Sequence, residues 1–326
     1  MEIFQRILSN LPDAISLGVL WGIMALGVYI TYKLLDIADL SVDGSFALGG
    51  CVSSILIVQG MPAFSTVGIA LLAGCLAGLL TGFLHTILKI PAILSGILTM
   101  LALYSINLRI LGGKSNLALP NQGKLQVTTI IDYVMDWLNL SRLNANLLFG
   151  FLLVAALIAI LYWFFGTELG SIIRATGNNE AMARAMGGNT NSIKMIGLAL
   201  SNGLVAMSGA VVAQSQRYGD VGMGTGTIVI GLASIIIGEV IFGKNRHFSV
   251  RLISVIGGSV VYRIVIAVVL VLGMNTNDLK ILSAAVVAIA LSAPVLLEKS
   301  RKLKNRSTNT PAPKSQGGQK DNATGN

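Results

Sequence analysis

The chain has 326 residues, of which 54% are hydrophobic and only 11% charged, with a formal net charge of +9 and a mean hydropathy of +0.76. An ordinary soluble domain is about a quarter charged, so this much apolar surface excludes a water-soluble enzyme core. The basic excess does not point to nucleic acid either, because Lys and Arg gather at the ends of apolar runs and in a polar tail, where membrane topology already accounts for them.

From the amino terminus, Met1–Ile15 lacks the basic-then-apolar pattern and small-residue cleavage site of a signal peptide, so the first apolar run is expected to stay as an anchor. Charge breaks then mark nine candidate spans at 14–32, 44–59, 64–88, 92–111, 146–165, 193–214, 226–242, 250–274 and 279–297. The predicted fold is all-α, a polytopic transmembrane helical bundle of about 8–10 spans. The 37 glycines suit close helix packing in a membrane. Two candidates, 44–59 and 226–242, are short and flanked by glycine, and read as broken or re-entrant segments, which are tolerated only when buried in protein or lining a cavity. Between the fourth and fifth spans, Ile130 to Leu140 reads as a short interfacial helix.

Residues 1–297 form the transmembrane domain, and 298–326 a basic tail too polar to pack, expected to be disordered. Lys299, Arg301, Lys302, Lys304 and Arg306 put this carboxyl terminus in the cytoplasm. Counting back through the spans gives the same side to Lys244, Arg246 and Arg251, to Arg174, Arg184 and Lys194, and to Lys89 and Lys33, with the 112–145 loop and the amino terminus outside.

No catalytic or metal constellation is expected. Gly113-Lys114-Ser115 has Leu108 where a phosphate loop requires Gly, and the Gly219–Gly226 run has no following Lys, so the chain is not expected to bind ATP itself. The two histidines, His85 and His247, lie at span ends, no Gly-x-Ser-x-Gly or HExxH occurs, and Cys51 and Cys75 read as small buried hydrophobes.

The long stretch predicted on the cytoplasmic side between the fifth and sixth spans, 167–192, reads as two short helices broken at Gly177 and ended at Gly187-Gly188, with Asn178 or Asn179 as cap and Glu180 in the first turn of the second. Ala181, Ala185 and Gly188 fall roughly on one stripe with Met182 and Met186 beside it, a face suited to a groove on another protein; the alternative is a solvated connector. Of the polar residues at membrane depth, Asp36, Asp39 and Asp43 lie between the first two spans, where Asp43 with Ser45 is placed to cap the following half-helix, or all three sit in a cytoplasmic turn. Tyr104, Ser105 and Asn107 in the fourth span and Ser201, Asn202 and Ser208 in the sixth either line a pathway or bond between helices, and Glu239 is expected at the interface.

The sequence Arg174-Ala175-Thr176-Gly177-Asn178-Asn179, then Glu180 to Gly187, then Ser192-Ile193-Lys194 resembles the coupling segment of ATP-binding-cassette importer permeases of the branched-chain amino-acid and ribose type. The run Leu35 to Phe46 looks like the broken start of their second helix, and its Asp39-Leu40-Ser41-Val42-Asp43-Gly44-Ser45 form is closest to permeases paired with tryptophan- or tyrosine-type binding proteins. Relative to other importers of this kind, Gly187 arrives one residue late. The resemblance covers roughly residues 14–297 and implies a permease subunit for a small solute, an amino acid and in particular an aromatic one. Its implied partners are a separate ATPase that binds ATP and Mg, an extracytoplasmic substrate-binding protein, a second permease copy or paralogue, and the lipid of the cell membrane; it implies no nucleic acid and no cofactor in the chain. Arg174, Gly177, Asn179, Glu180, Ala181, Arg184, Ala185 and Gly187 would couple to the ATPase, and Asp39, Asp43, Ser45, Asn107 and Asn202 would border the translocation pathway. The competing reading is an ion-coupled secondary transporter in which Asp43 or Glu239 binds the coupling ion.

Overall fold

The computed structural model describes residues 2–120, 127–243 and 247–272, together with 278, 281, 283–289 and 292. Among them are eleven α-helices: α1 (Glu2–Tyr29), α2 (Val42–Val58), α3 (Ala63–Thr86), α4 (Ala92–Ile110), α5 (Ile130–Leu138), α6 (Arg142–Gly166), α7 (Glu168–Asn178), α8 (Glu180–Ala185), α9 (Thr190–Gln216), α10 (Thr227–Phe242) and α11 (Phe248–Val271). Two three-residue strands, β1 (Asn116–Ala118) and β2 (Tyr218–Asp220), pair antiparallel with Leu117 opposite Gly219.

Six helices are long and apolar enough to cross a membrane, and α2 and α10 are shorter apolar helices. The first eight candidate spans each correspond to one of these eight helices. The ninth, 279–297, falls largely outside the described residues, and the 298–326 tail falls wholly outside them.

α9 and the stretch from α1 through its π-helical extension Ile30–Leu34 form the centre: their most apolar windows are 78% and 89% buried, against 39% or less for α3, α4, α6 and α11. Around them, α9 packs on α2 and α3, and α1 on α6, α10 and α11. The outer helices leave Leu72, Leu76, Phe151 and Trp163 exposed, as the lipid-facing side of a membrane bundle requires.

Both short helices begin inside the layer. After Leu34 the chain leaves the helix through Asp36, at φ 55°, and folds back, Ile37 N–H donating to the Thr31 carbonyl at 2.9 Å. By Phe46 it is level with Trp21, the two rings 4.8 Å apart, roughly 20 Å along α1 from Leu34 at 1.5 Å per residue. The segment after β2 runs the other way along α2: Gly219 lies against Ser54, Met223 against Gly50 and Gly224 against the Asp43 carbonyl, and only then does α10 start. The expectation of two broken or re-entrant elements therefore holds; in the irregular stretches Leu35, Ile37, Asp39, Gly219, Val221 and Gly224 are buried while Asp36, Ala38, Gly222 and Thr225 are exposed.

The expected interfacial helix is α5. A capping box starts it, Thr129 Oγ1 accepting the Asp132 N–H while the Asp132 carboxylate accepts the Thr129 N–H at 2.8 Å, and Asp132 forms an ion pair with Arg217 at the end of α9.

Close approach of α2 to α9 rests on two glycines. A Cβ on Gly49 would overlap the Ala206 carbonyl, and one on Gly209 would overlap the Phe46 carbonyl. Gly49→Val is therefore expected to lower stability by about 1–3 kcal/mol or more through overpacking. Gly68→Ala, where nothing lies within 4 Å, should be neutral; thermal unfolding in detergent compares the two.

Candidate functional site

Where the chain turns from its re-entrant segment into α2, a polar cluster is sealed in the core. Asp39 Oδ1 accepts the Ser41 N–H at 2.9 Å and the Ser41 hydroxyl at 2.6 Å, while Asp39 Oδ2 accepts the Asn202 amide of α9 at 2.7 Å. Asn202 Oδ1 in turn accepts the Ser45 hydroxyl at 2.6 Å, and its amide also reaches the Leu198 carbonyl at 3.1 Å. Asp39, Ser41, Ser45 and Asn202 are all buried, so three of the expected pathway residues meet in one place. A fully hydrogen-bonded buried cluster fixes geometry; it registers α2 against α9.

Asp43 acts differently from the expectation. The Ser41 N-cap of α2 makes no side-chain capping bond and Ser45 turns to Asn202, so Asp43 and Ser45 do not cap the helix that carries them. Asp43 sits in the first turn of α2 and caps α10 instead: Oδ2 accepts the Gly226 N–H at 2.8 Å, and Oδ1 accepts the Thr227 hydroxyl at 2.8 Å and the Ile228 N–H at 2.9 Å. The carboxylate satisfies free amides at the positive end of a helix that begins at membrane depth. Spacing along the chain did not reveal this bond, since its partners lie more than 180 residues apart.

The other polar residues mostly bond between helices. The Asn107 amide donates to the Gly44 carbonyl at 3.3 Å, Ser201 to the Gly27 carbonyl at 2.7 Å and Ser208 to the Leu20 carbonyl at 2.8 Å, while Tyr104 is exposed on the outside of the chain. Glu239 pairs with Lys33 at 2.7 Å, joining the end of α10 to the end of α1.

The 167–192 segment folds as two helices broken at Asn179 rather than Gly177. Asn179 is extended and caps α8 by accepting the Met182 N–H at 3.0 Å. A Cβ on Gly177 would overlap the Leu34 carbonyl, and Arg174 lies 5.6 Å from the Phe248 ring, so these two residues seat α7 on the bundle and do not face outward. Glu180 ties α8 to α9: Lys194 approaches at 2.7 Å, Arg184 at 2.8 Å and the Thr190 hydroxyl at 3.1 Å. What projects outward is Ala181, Met182, Ala185, Met186 and Gly187, with Met186 79% exposed.

One residue that the sequence reading passed over stands out. Arg263 lies two-thirds of the way along α11, its guanidinium 3.9 Å above the Trp21 ring and its Nε buried without a hydrogen-bond partner. The legible signal was a charge deep inside a predicted span, which is costly there and by default functional. No cluster able to hold a metal ion occurs among the described residues.

A family model described as the branched-chain amino acid transport system / permease component matches residues 10–291. The chain belongs to this permease family. It is 40% identical, over 87% of its own length and 91% of the relative's, to the tyrosine transport system permease protein of Clostridioides difficile. It is 23% identical to the ribose import permease protein of Escherichia coli, over 87% and 85% of the two chains. A solved inward-facing ABC transporter of metal-chelate type covers 91% of this chain and 90% of its own at 18% identity, with a TM-score of 0.49. The chain is thus the multi-pass permease component of an ATP-binding-cassette importer, a transport subunit and not an enzyme, working with an ATPase and a solute-binding protein.

Removal of the Asp43 carboxylate should loosen the start of α10. Hydrogen bonds to a charged group contribute about 1.5–3 kcal/mol each, so Asp43→Ala is expected to cost at least that, and Asp43→Asn, which keeps one acceptor oxygen, less. Hydrogen exchange of the Gly226 and Ile228 amides reads the difference directly.

The clasp on α8 should depend on pH. Hydrogen bonding to Lys194 holds the Glu180 carboxyl below the usual carboxylate range. A lowered folded-state pKa means the clasp is at full strength above the ordinary glutamate value of about 4.3 and is lost as pH falls through the depressed value. Exchange protection of the α8 amides should follow that course in the parent chain and lose its pH dependence in Glu180→Gln.

Proposed function

We propose that this permease imports an aromatic amino acid, that it works as a homodimer or with a close paralogue embedded in membrane lipid, and that α8 is the helix through which the ATPase drives it. The observation that carries the coupling assignment is the contrast within one segment: α7 is seated on the bundle through Gly177 and Arg174, while α8 presents Ala181, Met182, Ala185 and Met186 outward and is held rigid by Glu180. A small, soft apolar face on a braced helix fits a groove in a partner. ATP and Mg belong to that partner, which stands in the cytoplasm together with the carboxyl terminus. In support of this orientation, Lys33, Lys89, Arg174, Arg184 and Lys194 all lie on the side where α1, α3 and α6 end and where α4 and α9 begin.

Transport follows by alternating access. ATP binding closes the ATPase pair, α8 moves with it, and the differing affinity of ATP for the two states shifts the permease between openings. The solute assignment is supported by the tyrosine permease at 40% identity and by the Asp39–Ser45 run. An ion-coupled carrier is less well supported, because Asp43 is committed to the α10 amides and Glu239 to Lys33.

Ala185→Trp tests the docking face. Inserting a large ring into a close-packed interface costs about 1–3 kcal/mol, which at 1.4 kcal/mol per factor of ten weakens docking roughly ten- to hundredfold. The variant should insert and purify at the parent yield, yet lose ATPase co-purification and solute-stimulated hydrolysis; parent behaviour in both assays refutes the assignment. Gly187→Leu is the poorer probe, because Gly187 has φ 86° and a side chain there is strained even without a partner.

A further inference from the structure

Arg263 faces a cavity of about 280 Å³ bounded by α1, the end of α9, the segment before α10 and its first turn, α11, and Ser283. Its walls include Trp21, Gln216, Tyr218, Met223 and Tyr262. A guanidinium carries five N–H donors. Among the described residues its guanidinium lies over the face of Trp21, Nε has no acceptor, and no ion pair engages Arg263. A permanent charge held level with Phe46, deep in the bundle, is expensive, and stacking on one ring offsets that cost only in part. Its unused donors form a planar fork that matches a carboxylate through two parallel bonds.

The rest of the cavity fits the rest of such a solute. Tyr218 and Met223 give an aromatic and a soft apolar wall for a flat ring, and Gln216 adds a neutral polar group. The volume lies at the lower limit of small-ligand pockets, about 300–1,000 Å³, which suits one amino acid and not a peptide.

We propose that this cavity is a solute subsite on the transmembrane route, in which Arg263 receives the carboxylate of a small aromatic acid or amino acid and the ring lies against Tyr218 and Met223. The amino-acid form of the solute rests on the function proposed above; the carboxylate requirement rests on Arg263 alone. Met223 and Ile230 flank the start of α10, which Asp43 pins to α2, so a rearrangement of α10 would reshape the cavity and release its occupant.

The first test uses the unmodified permease with its ATPase and without the binding protein, treated with an arginine-selective dicarbonyl reagent and mapped by mass spectrometry. Tyrosine and 3-(4-hydroxyphenyl)propanoate should each slow modification of Arg263 at least threefold, and tyramine, which lacks the carboxylate, should not. No reaction at Arg263, no protection, or equal protection by tyramine overturns the subsite. The second test reconstitutes the full complex in liposomes and measures tyrosine import per assembled complex. Arg263→Gln should fall at least tenfold, and Arg263→Lys, which keeps a point charge but not the fork, should lie between. Because the binding protein is the same throughout, the change reports the permease. Import by Arg263→Gln at the parent rate refutes the subsite and leaves the importer assignment standing. A parent complex that imports no tyrosine while the propanoate still protects Arg263 refutes the solute assignment and leaves the carboxylate subsite standing. If Arg263→Gln fails to assemble, protection in the unmodified chain decides.

Discussion

The fold depends on how two helices are allowed to begin inside an apolar layer. A helix start leaves amides without intrahelical partners, and hydrocarbon supplies none, so each start must be met by protein. For α10 the acceptor is the Asp43 carboxylate, which takes the Gly226 and Ile228 amides together. Because Asp43 lies in the first turn of α2, the two short helices are joined at their starts, and neither can move without the other. The preceding turn is fixed by Asp39, which holds Ser41 on its own segment and Asn202 on α9. Two acids four residues apart therefore set the whole middle of the molecule, one by satisfying a helix end and the other by registering a helix pair.

This arrangement explains why the short helices pack against the central pair, α2 on α9 and α10 on α1. Long helices such as α6 satisfy their backbone internally and can face lipid, and α6 exposes Phe151 and Trp163. A segment that starts partway through the layer needs neighbours at its start. α2 is walled by α3, α4 and α9, while α10 packs on α1 and α11 and leaves Val229, Val240 and Ile241 exposed. Close packing makes this possible, since Gly49 and Gly209 bring α2 near enough to α9 for the Asp39–Asn202 bond to form.

Much of this was legible in the sequence, and the rest was not, for definite reasons. Span positions follow from apolar length, a one-dimensional property, and the short Gly-flanked runs announced the re-entrant elements. The Asn179 cap and the Glu180 start of α8 are local, so they were readable too. Asp39, Asn202 and Ser45 were singled out because polar groups in hydrocarbon need partners, but which partners is a tertiary fact. Asp43 shows the limit: a carboxylate at a helix start suggests a cap on its own helix, and the structure gives it to a helix 184 residues away. β1 and β2, of three residues each, carry too little pattern to be seen before folding brings them together. Arg263 was the avoidable miss, because scanning for apolar length tolerates a charge in the middle of a span when that charge is the informative residue.

The same economy links the two ends of the molecule. At the end that carries α7 and α8, Lys33 and Glu239 join the extension of α1 to α10, while Gly177 of α7 rests on the Leu34 carbonyl three residues before the Ile37 turn. The α7–α8 segment thus bears directly on the point where the chain leaves α1 for the Asp39–Asp43 run. A displacement of α8, transmitted through the Glu180 clasp to α9 and through α7 to Leu34, reaches Asn202 on one side and Asp39 on the other, the two halves of one hydrogen bond. That contiguity is a mechanical route through packed and hydrogen-bonded groups. It places α2 with α10, joined through Asp43, between the outward face of α8 and the Arg263 cavity.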